Sequence, residues 1–305
     1  MRIVQGLESY LPDAAAAVVA LGAFDGIHLG HQAILGMAVA RGKARGLQVV
    51  ACTFDRHPME VLQPDRAPLP ITTLAERLDL IAHTGVDVTL VLAFTSALAA
   101  VEPEAFVRDV LVSGLHAREV VVGFNHTFGR GARGDAALLR SFGDRVGLVT
   151  QVIPPFLVEG IPVSSSEIRS ALREGDVAKA ARYLGRTYSI GGTVTRGAGR
   201  GRTLGFPTAN LDPERPLLLP SGVYACRAEV GGQVHSAVVN VGVRPTFGEN
   251  ELAIEAYLPD FSGDLYGLRM QLHFIAHLRG ERKFQSVDEL KAQIGRDVEA
   301  ARQRL

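Results

Sequence analysis

The sequence predicts two domains: an α/β domain with a Rossmann-like parallel sheet, then an antiparallel barrel or sandwich closed by a C-terminal helix. Three observations carry this. Up to about residue 185, apolar runs alternate with amphipathic stretches; beyond it, short period-two runs are separated by Gly, Pro, Asp and Asn; and 305 residues exceed what one hydrophobic core usually serves. The composition permits such a chain to fold, with 47% hydrophobic residues to fill a core and only 21% charged.

The elements follow in order. Residues 18–21, 47–54, 86–92, 119–124 and 148–153 form apolar runs bounded by turn residues or helical patterns, as strands buried on both faces do. The first belongs to the apolar run 14–24, which is too short to span a bilayer and lacks a basic leader beyond Arg2. Leu74, Leu78 and Ile81 recur at helical spacing, as do Phe106, Val110 and Leu111, so helices cover the sheet. Residues 176–185 read as a short helix ending on glycine. Residues 222–230, 234–241, 252–258 and 268–274 read as antiparallel strands. Ser286 is a helix N-cap, with Asp288 and Glu289 suited to the first turn. The change of period at 185–188 places the boundary, giving domains 1–185 and 186–305.

Thirty-two basic residues balance thirty-two acidic ones, so no global field draws the chain to nucleic acid or an anionic membrane. Phosphate binding must be local. Cys52 and Cys226, the two cysteines, are far apart and lack metal-ligand spacing, which fits a reducing cytoplasm and two thiols packed as small apolar residues.

Local phosphate sites are sought where strands end and helices begin. Gly22-Ala23-Phe24-Asp25-Gly26-Ile27-His28-Leu29-Gly30-His31-Gln32 follows the first of these strands and opens a helical stretch over 32–45. Its glycines allow close backbone approach, and His28 and His31, three apart at a helix start, can face one anion. A bare pair of histidines at this spacing would read as a turn with surface side chains; the flanking glycines favour a nucleotide triphosphate.

This segment resembles the signature of nucleotidylyltransferases, specifically the adenylyltransferase half of bacterial bifunctional riboflavin kinase/FAD synthetases. Thr53-Phe54-Asp55-Arg56-His57-Pro58, Gly123-Phe124-Asn125-His126-Thr127-Phe128-Gly129 and Val163-Ser164-Ser165-Ser166-Glu167-Ile168-Arg169 resemble further motifs of that family in the right order. Two departures stand out. Arg56 replaces the usual proline and loosens its turn, and Ser166 stands where threonine is common but keeps a hydroxyl. The resemblance implies that Gly22, Phe24, Asp25, Gly26, His28, Gly30, His31, Ser164, Ser165, Ser166 and Arg169 bind ATP, with His28 and His31 catalytic. It implies that Asp55, His57 and Asn125 bind FMN; Asn125 could hold the FMN phosphate or a magnesium-bound water, or be a turn carboxamide.

In the second half, Gly192-Thr193-Val194-Thr195-Arg196-Gly197-Ala198-Gly199-Arg200-Gly201-Arg202-Thr203-Leu204-Gly205-Phe206-Pro207-Thr208-Ala209-Asn210 resembles the riboflavin kinase signature, a glycine-rich flap leading into P-T-A-N. Matches continue through Asn240-Val241-Gly242-Val243-Arg244-Pro245-Thr246-Phe247-Gly248, Ile254-Glu255-Ala256-Tyr257 and 260–267 to Leu278-Arg279-Gly280-Glu281-Arg282-Lys283-Phe284, so the resemblance spans nearly the whole chain. It implies an antiparallel β-barrel kinase domain in which Gly197, Gly199, Gly201, Arg202, Thr208 and Asn210 bind ATP. Thr208 and Asn210 would hold Mg2+. Glu255 would be the general base for the riboflavin 5′-hydroxyl, with Arg279 near the flavin, although Glu255 also fits a solvent-facing strand position. The implied partners are ATP, riboflavin, FMN and FAD, with no nucleic acid or membrane. The rival readings are a nucleotidylyltransferase for another small phosphate ester with an accessory barrel, and a flavin-binding module without catalysis.

Overall fold

The computed structural model describes residues 1–12, 16–197, 200–245 and 250–305. The chain divides into two compact units, Met1–Ser165 and Ser166–Leu305.

The first unit begins with β1 (Arg2–Gln5), β2 (Ala17–Leu21), α1 (Leu29–Arg45) and β3 (Gln48–Phe54). It continues with α2 (Pro58–Leu62), α3 (Leu74–Ala82), β4 (Val88–Leu92) and α4 (Ser96–Ala99). Next comes α5 (Pro103–Ala105), running into a π-helical segment, Phe106–Gly114. Then follow β5 (Ala117–Gly123), α6 (Ala136–Val146), β6 (Val149–Ile153) and a small hairpin, β7 (Leu157–Val158) with β8 (Ile161–Pro162). Six strands pair in the order β1-β4-β3-β2-β5-β6, all parallel. The sequence runs outward from β2 in one direction and resumes on its other side with β5. The carboxyl end of β2 is therefore where the strand order reverses, the place such sheets use for ligands.

Why the strands are continuously apolar is visible in their packing. Val18 and Ala20 of β2 join Leu35, Ala38 and Val121 in one core cluster, whereas Val19 and Leu21 join Cys52, Val120, Phe106 and Leu139 in another. Both faces of the sheet are covered, so alternation with polar residues would bury unpaired groups.

The second unit opens within α7 (Ser165–Arg173), whose first residue closes the first unit, and continues with α8 (Val177–Leu184). Asp176 caps α8 by accepting from the Lys179 amide at 2.9 Å, and Gly185 ends it at φ 70°. The barrel comprises β9 (Tyr188–Thr195), the short α9 (Arg200–Leu204), β10 (Thr208–Pro213), β11 (Gly222–Val230), β12 (Gln233–Pro245), β13 (Asn250–Tyr257) and β14 (Arg269–Arg279). Its order, β10-β13-β12-β11-β14-β9, closes antiparallel through β9 and β10. α10 (Val287–Arg302) ends the chain, with the Ser286 hydroxyl accepting from the Glu289 amide at 3.1 Å as its N-cap.

Several bounds differ from the sequence expectation. α1 starts at Leu29 rather than 32 because His28 supplies the cap. β12 and β14 run past 241 and 274, because cross-strand pairing continues through residues whose alternation is weak. Ala14, within the first apolar run, and residues 246–248 of the Arg244-Pro245 motif lie outside the described residues.

Candidate active sites

The loop after β2 is held in an unusual shape. Phe24 and Ile27 have φ of 53° and 38°, a region that non-glycine residues rarely enter, and both are buried. Gly26, at φ 83°, packs against Ile71, whose Cγ2 would lie 3.1 Å from any added Cβ. His28 then caps α1 as its Nδ1 accepts from the His31 amide at 3.3 Å. That bond leaves Nδ1 without a proton, so a neutral His28 carries its hydrogen on Nε2. The two imidazoles stack with centroids 3.6 Å apart at 20°, and Phe24 meets His31 edge-on at 5.3 Å. Two stacked rings at a helix N-terminus, where backbone dipoles converge, favour an anion in front of them.

The other predicted residues of this unit take varied positions. The Asp25 carboxylate accepts from the Ile71 amide at 3.0 Å and from the Thr72 amide and hydroxyl at 3.1 Å each, so it braces the loop. Its carbonyl accepts from the Ser165 hydroxyl at 3.0 Å, which brings that serine to the histidine loop. Gly30 lies against the Val163 carbonyl and the His28 ring. Asp55, at the end of β3, accepts from the Phe94 amide at 2.9 Å and pairs with exposed Arg56 at 3.0 Å. Burial pushes its pKa up, but the Phe94 amide and the Arg56 guanidinium outweigh that and hold it below the ordinary carboxylate value. His57 caps α2 through its Nδ1, which accepts from the Met59 amide at 3.1 Å. Asn125 is exposed just beyond β5. Beside it, His126 has an enclosed Nε2 without a hydrogen-bond partner, and burial pushes its pKa down to about 4. Ser166 is exposed and Arg169 buried on α7, in the second compact unit.

In the barrel a cavity of about 670 Å³ is lined by Thr208, Asn240, Glu255, Tyr257, Arg279 and Phe284, among others. Glu255 sits on β13 directly opposite Asn210 on one side and Asn240 on the other. Thr208 also lines a second hollow of about 320 Å³ with Leu258, Phe261 and Tyr266. The structure thus brings Thr208, Glu255 and Arg279 to one cavity. Gly197 packs so closely on the Asn210 amide that a side chain there would collide with it, and Gly201 lies likewise against the Phe206 carbonyl. Gly199 and the side chain of Arg202 lie outside the described residues.

Arg279 is not free in that wall. Its Nε and Nη2 bond the buried Asp297 carboxylate at 3.0 and 2.8 Å, and the Gln293 amide donates to the same carboxylate at 2.7 Å. The Arg279 guanidinium also lies 5.8 Å from the Phe284 ring centre. Sequence reasoning missed Asp297. Its one signal was a carboxylate on the helix face that carries Ile294, Val298 and Ala301.

A parallel sheet with a histidine-bearing loop at its switch point, joined to a closed barrel whose cavity holds a carboxylate, defines a class of two-domain nucleotide-using transferases. The family model described as FAD synthetase matches residues 11–167, and that described as riboflavin kinase matches 184–305. The bifunctional riboflavin kinase/FMN adenylyltransferase of Bacillus subtilis is 38% identical over 94% of this chain and 92% of that protein. The protein of the same name from Escherichia coli K12 is 36% identical over 99% and 97%. A solved structure described as a macrolide-efflux protein from Streptococcus pneumoniae covers 99% of both chains with a TM-score of 0.91 at 32% identity. The chain belongs to the family of bifunctional riboflavin kinase/FMN adenylyltransferases. Among the described residues, no helix is long and apolar enough to cross a membrane.

Proposed function

We infer that this chain carries out two successive ATP-dependent transfers, riboflavin to FMN with release of ADP and FMN to FAD with release of pyrophosphate. The observation that carries this reading is the barrel cavity shared by Thr208 and Glu255, in a chain matched along both halves by the two enzyme families. We assign the kinase step to residues 186–305 and adenylyl transfer to residues 1–185.

In the kinase step Glu255 accepts the 5′-hydroxyl proton as that oxygen attacks the γ-phosphorus, and the bond to the ADP oxygen breaks. Thr208 borders both hollows, which supports a nucleotide in the smaller one meeting a flavin in the larger at this residue. The Thr208 hydroxyl and Asn210 amide oxygen are neutral oxygen donors that fit magnesium already carried by ATP phosphates. That ion would neutralise charge on the transferring phosphoryl group. Arg279, its charge shared with Asp297, serves as an oriented flavin wall.

Adenylyl transfer needs no protein nucleophile. An FMN phosphate oxygen attacks the α-phosphorus and pyrophosphate leaves, so the protein must align the groups and stabilise growing charge. His28 and His31 are the donors at the α1 start, and Ser164, Ser165 and Arg169 hold the outer phosphates. We give the FMN side to Asp55, His57 and Asn125; that they follow β3 and β5, which flank β2, supports this reading. Two fully buried thiols, with Cys52 pushed up to about 12 by burial, fit a cytoplasmic enzyme that makes no use of them.

Incubation of the purified protein with riboflavin, ATP and magnesium, followed by chromatography, tests the reading. FMN followed by FAD is expected; riboflavin left unchanged would overturn it.

A further inference from the structure

The histidine loop and the loop after β3 are joined by a third segment, residues 71–77. Hydrogen bonds tie it to the histidine loop. The Ile71 and Thr72 amides and the Thr72 hydroxyl donate to the Asp25 carboxylate. The Gly26 amide donates to the Thr72 hydroxyl oxygen at 3.1 Å. Further along, on α3, Nη1 of Arg77 donates to the Ala23 carbonyl at 3.0 Å.

Arg77 also reaches the second loop, because the same Nη1 donates to the Phe54 carbonyl at 2.8 Å. Ala23 follows β2 and Phe54 ends β3, so one nitrogen spans the carboxyl ends of two neighbouring strands. Arg77 is 6% exposed and its Nε is enclosed without a hydrogen-bond partner. Burial lowers the pKa of this guanidinium, and the charges of Asp25, Glu60 and Asp55 act against that shift. A buried cation satisfied chiefly by backbone oxygens is a poor device for stability alone, since an apolar residue of similar volume would avoid the desolvation cost.

What the segment holds is a strained loop. Phe24 and Ile27 keep positive φ only where their surroundings over-determine them, and they bracket the residues that Thr72 grips. Each also leads to a histidine. Phe24 lies edge-on against His31, and Ile27 immediately precedes His28, the cap of α1.

We propose that Thr72 and Arg77 are positioning residues for adenylyl transfer, a clasp that fixes the histidine loop and sets its spacing from the loop after β3. This rests on the functional reading above and deepens it. Without the clasp the two loops still form and bind, but the α-phosphorus and the attacking oxygen are no longer held in line, so turnover falls more than affinity.

Steady-state kinetics of FAD formation from FMN and ATP tests it with the full-length parent, Thr72→Val, Thr72→Ser and Arg77→Lys. Valine keeps the shape of threonine and removes its hydroxyl. For Thr72→Val, kcat should fall by about 10²-fold while the KM values for ATP and FMN stay within about threefold. Serine restores the hydroxyl and should bring kcat back to within about threefold of the parent. A lysine ammonium lacks the planar fork and should lower kcat by about tenfold. Riboflavin phosphorylation should be unchanged in all three, and amide exchange of β2 to β5 should match the parent. The proposal is overturned if Thr72→Val turns over at the parental rate, if Thr72→Ser is as slow as Thr72→Val, or if the loss lies in KM. It is also overturned if the slow variants have lost amide protection in β2 to β5, since the role is then structural. Failure of the functional reading looks different, because the parent itself then makes no FAD.

Discussion

Asp297 and His126 show how surroundings decide what an ionisable side chain does. Asp297 is buried and gives both oxygens to Arg279, so replacing it leaves a partly buried guanidinium without its counter-charge. Asp297→Asn should destabilise the second unit by about 3 kcal/mol, read by urea unfolding. It should also weaken riboflavin binding, read by quenching of flavin fluorescence, because Arg279 loses its fixed plane. His126 is held neutral by burial, with its pKa lowered from 6.5 to about 4. The unfolded chain therefore binds the proton first as pH falls, so stability present above pH 6.5 is lost progressively down to about pH 4. The loss should amount to at most about 3 kcal/mol and should shrink in His126→Phe, measured by denaturant unfolding across that range.

Elements were legible where one physical signal dominated. The buried strands β2 to β5 announce themselves as apolar runs, and β11 matches its expected bounds of 222–230, with alternation confined to its second half. β1 was not legible, because Val4 is the one buried residue among its four. β9 and β10 were hidden within a stretch read as a glycine-rich flap. Gly192 is there because β9 runs so close to the Asp212 carbonyl that a side chain would collide with it. The π-helical segment carries Phe106, Val110 and Leu111 at a spacing that an α-helix also satisfies, so its type could not be told from pattern. Local motifs single out His28, Thr208 and Glu255 as candidates; they do not single out Thr72, Arg77 and Asp297, whose hydrogen-bond partners lie far away in sequence. At this scale α8 is the telling element. It packs on β9 and β14 with Val177, Ala180, Tyr183 and Leu184 buried, although the period of the sequence changes only after it. A fragment of residues 166–305 should therefore melt higher than one of residues 186–305, by several degrees in calorimetry. Equal melting temperatures would mean that α8 contributes nothing to the barrel.

At the scale of the whole molecule, a balanced charge supplies no global field, so any recognition of phosphates must be local. The central claim is that one chain divides two reactions between two sites, the histidine loop serving adenylyl transfer and the Glu255 cavity serving phosphorylation. The most direct measurement is a product analysis of His28→Ala and Glu255→Gln, each given riboflavin, ATP and magnesium and, separately, FMN, ATP and magnesium. His28→Ala should accumulate FMN and form FAD about 10²–10³-fold more slowly than the parent. Glu255→Gln should phosphorylate riboflavin about 10²–10⁴-fold more slowly yet convert supplied FMN to FAD at the parental rate. Loss of both activities in either folded variant, or parental phosphorylation by Glu255→Gln, would contradict the division of labour.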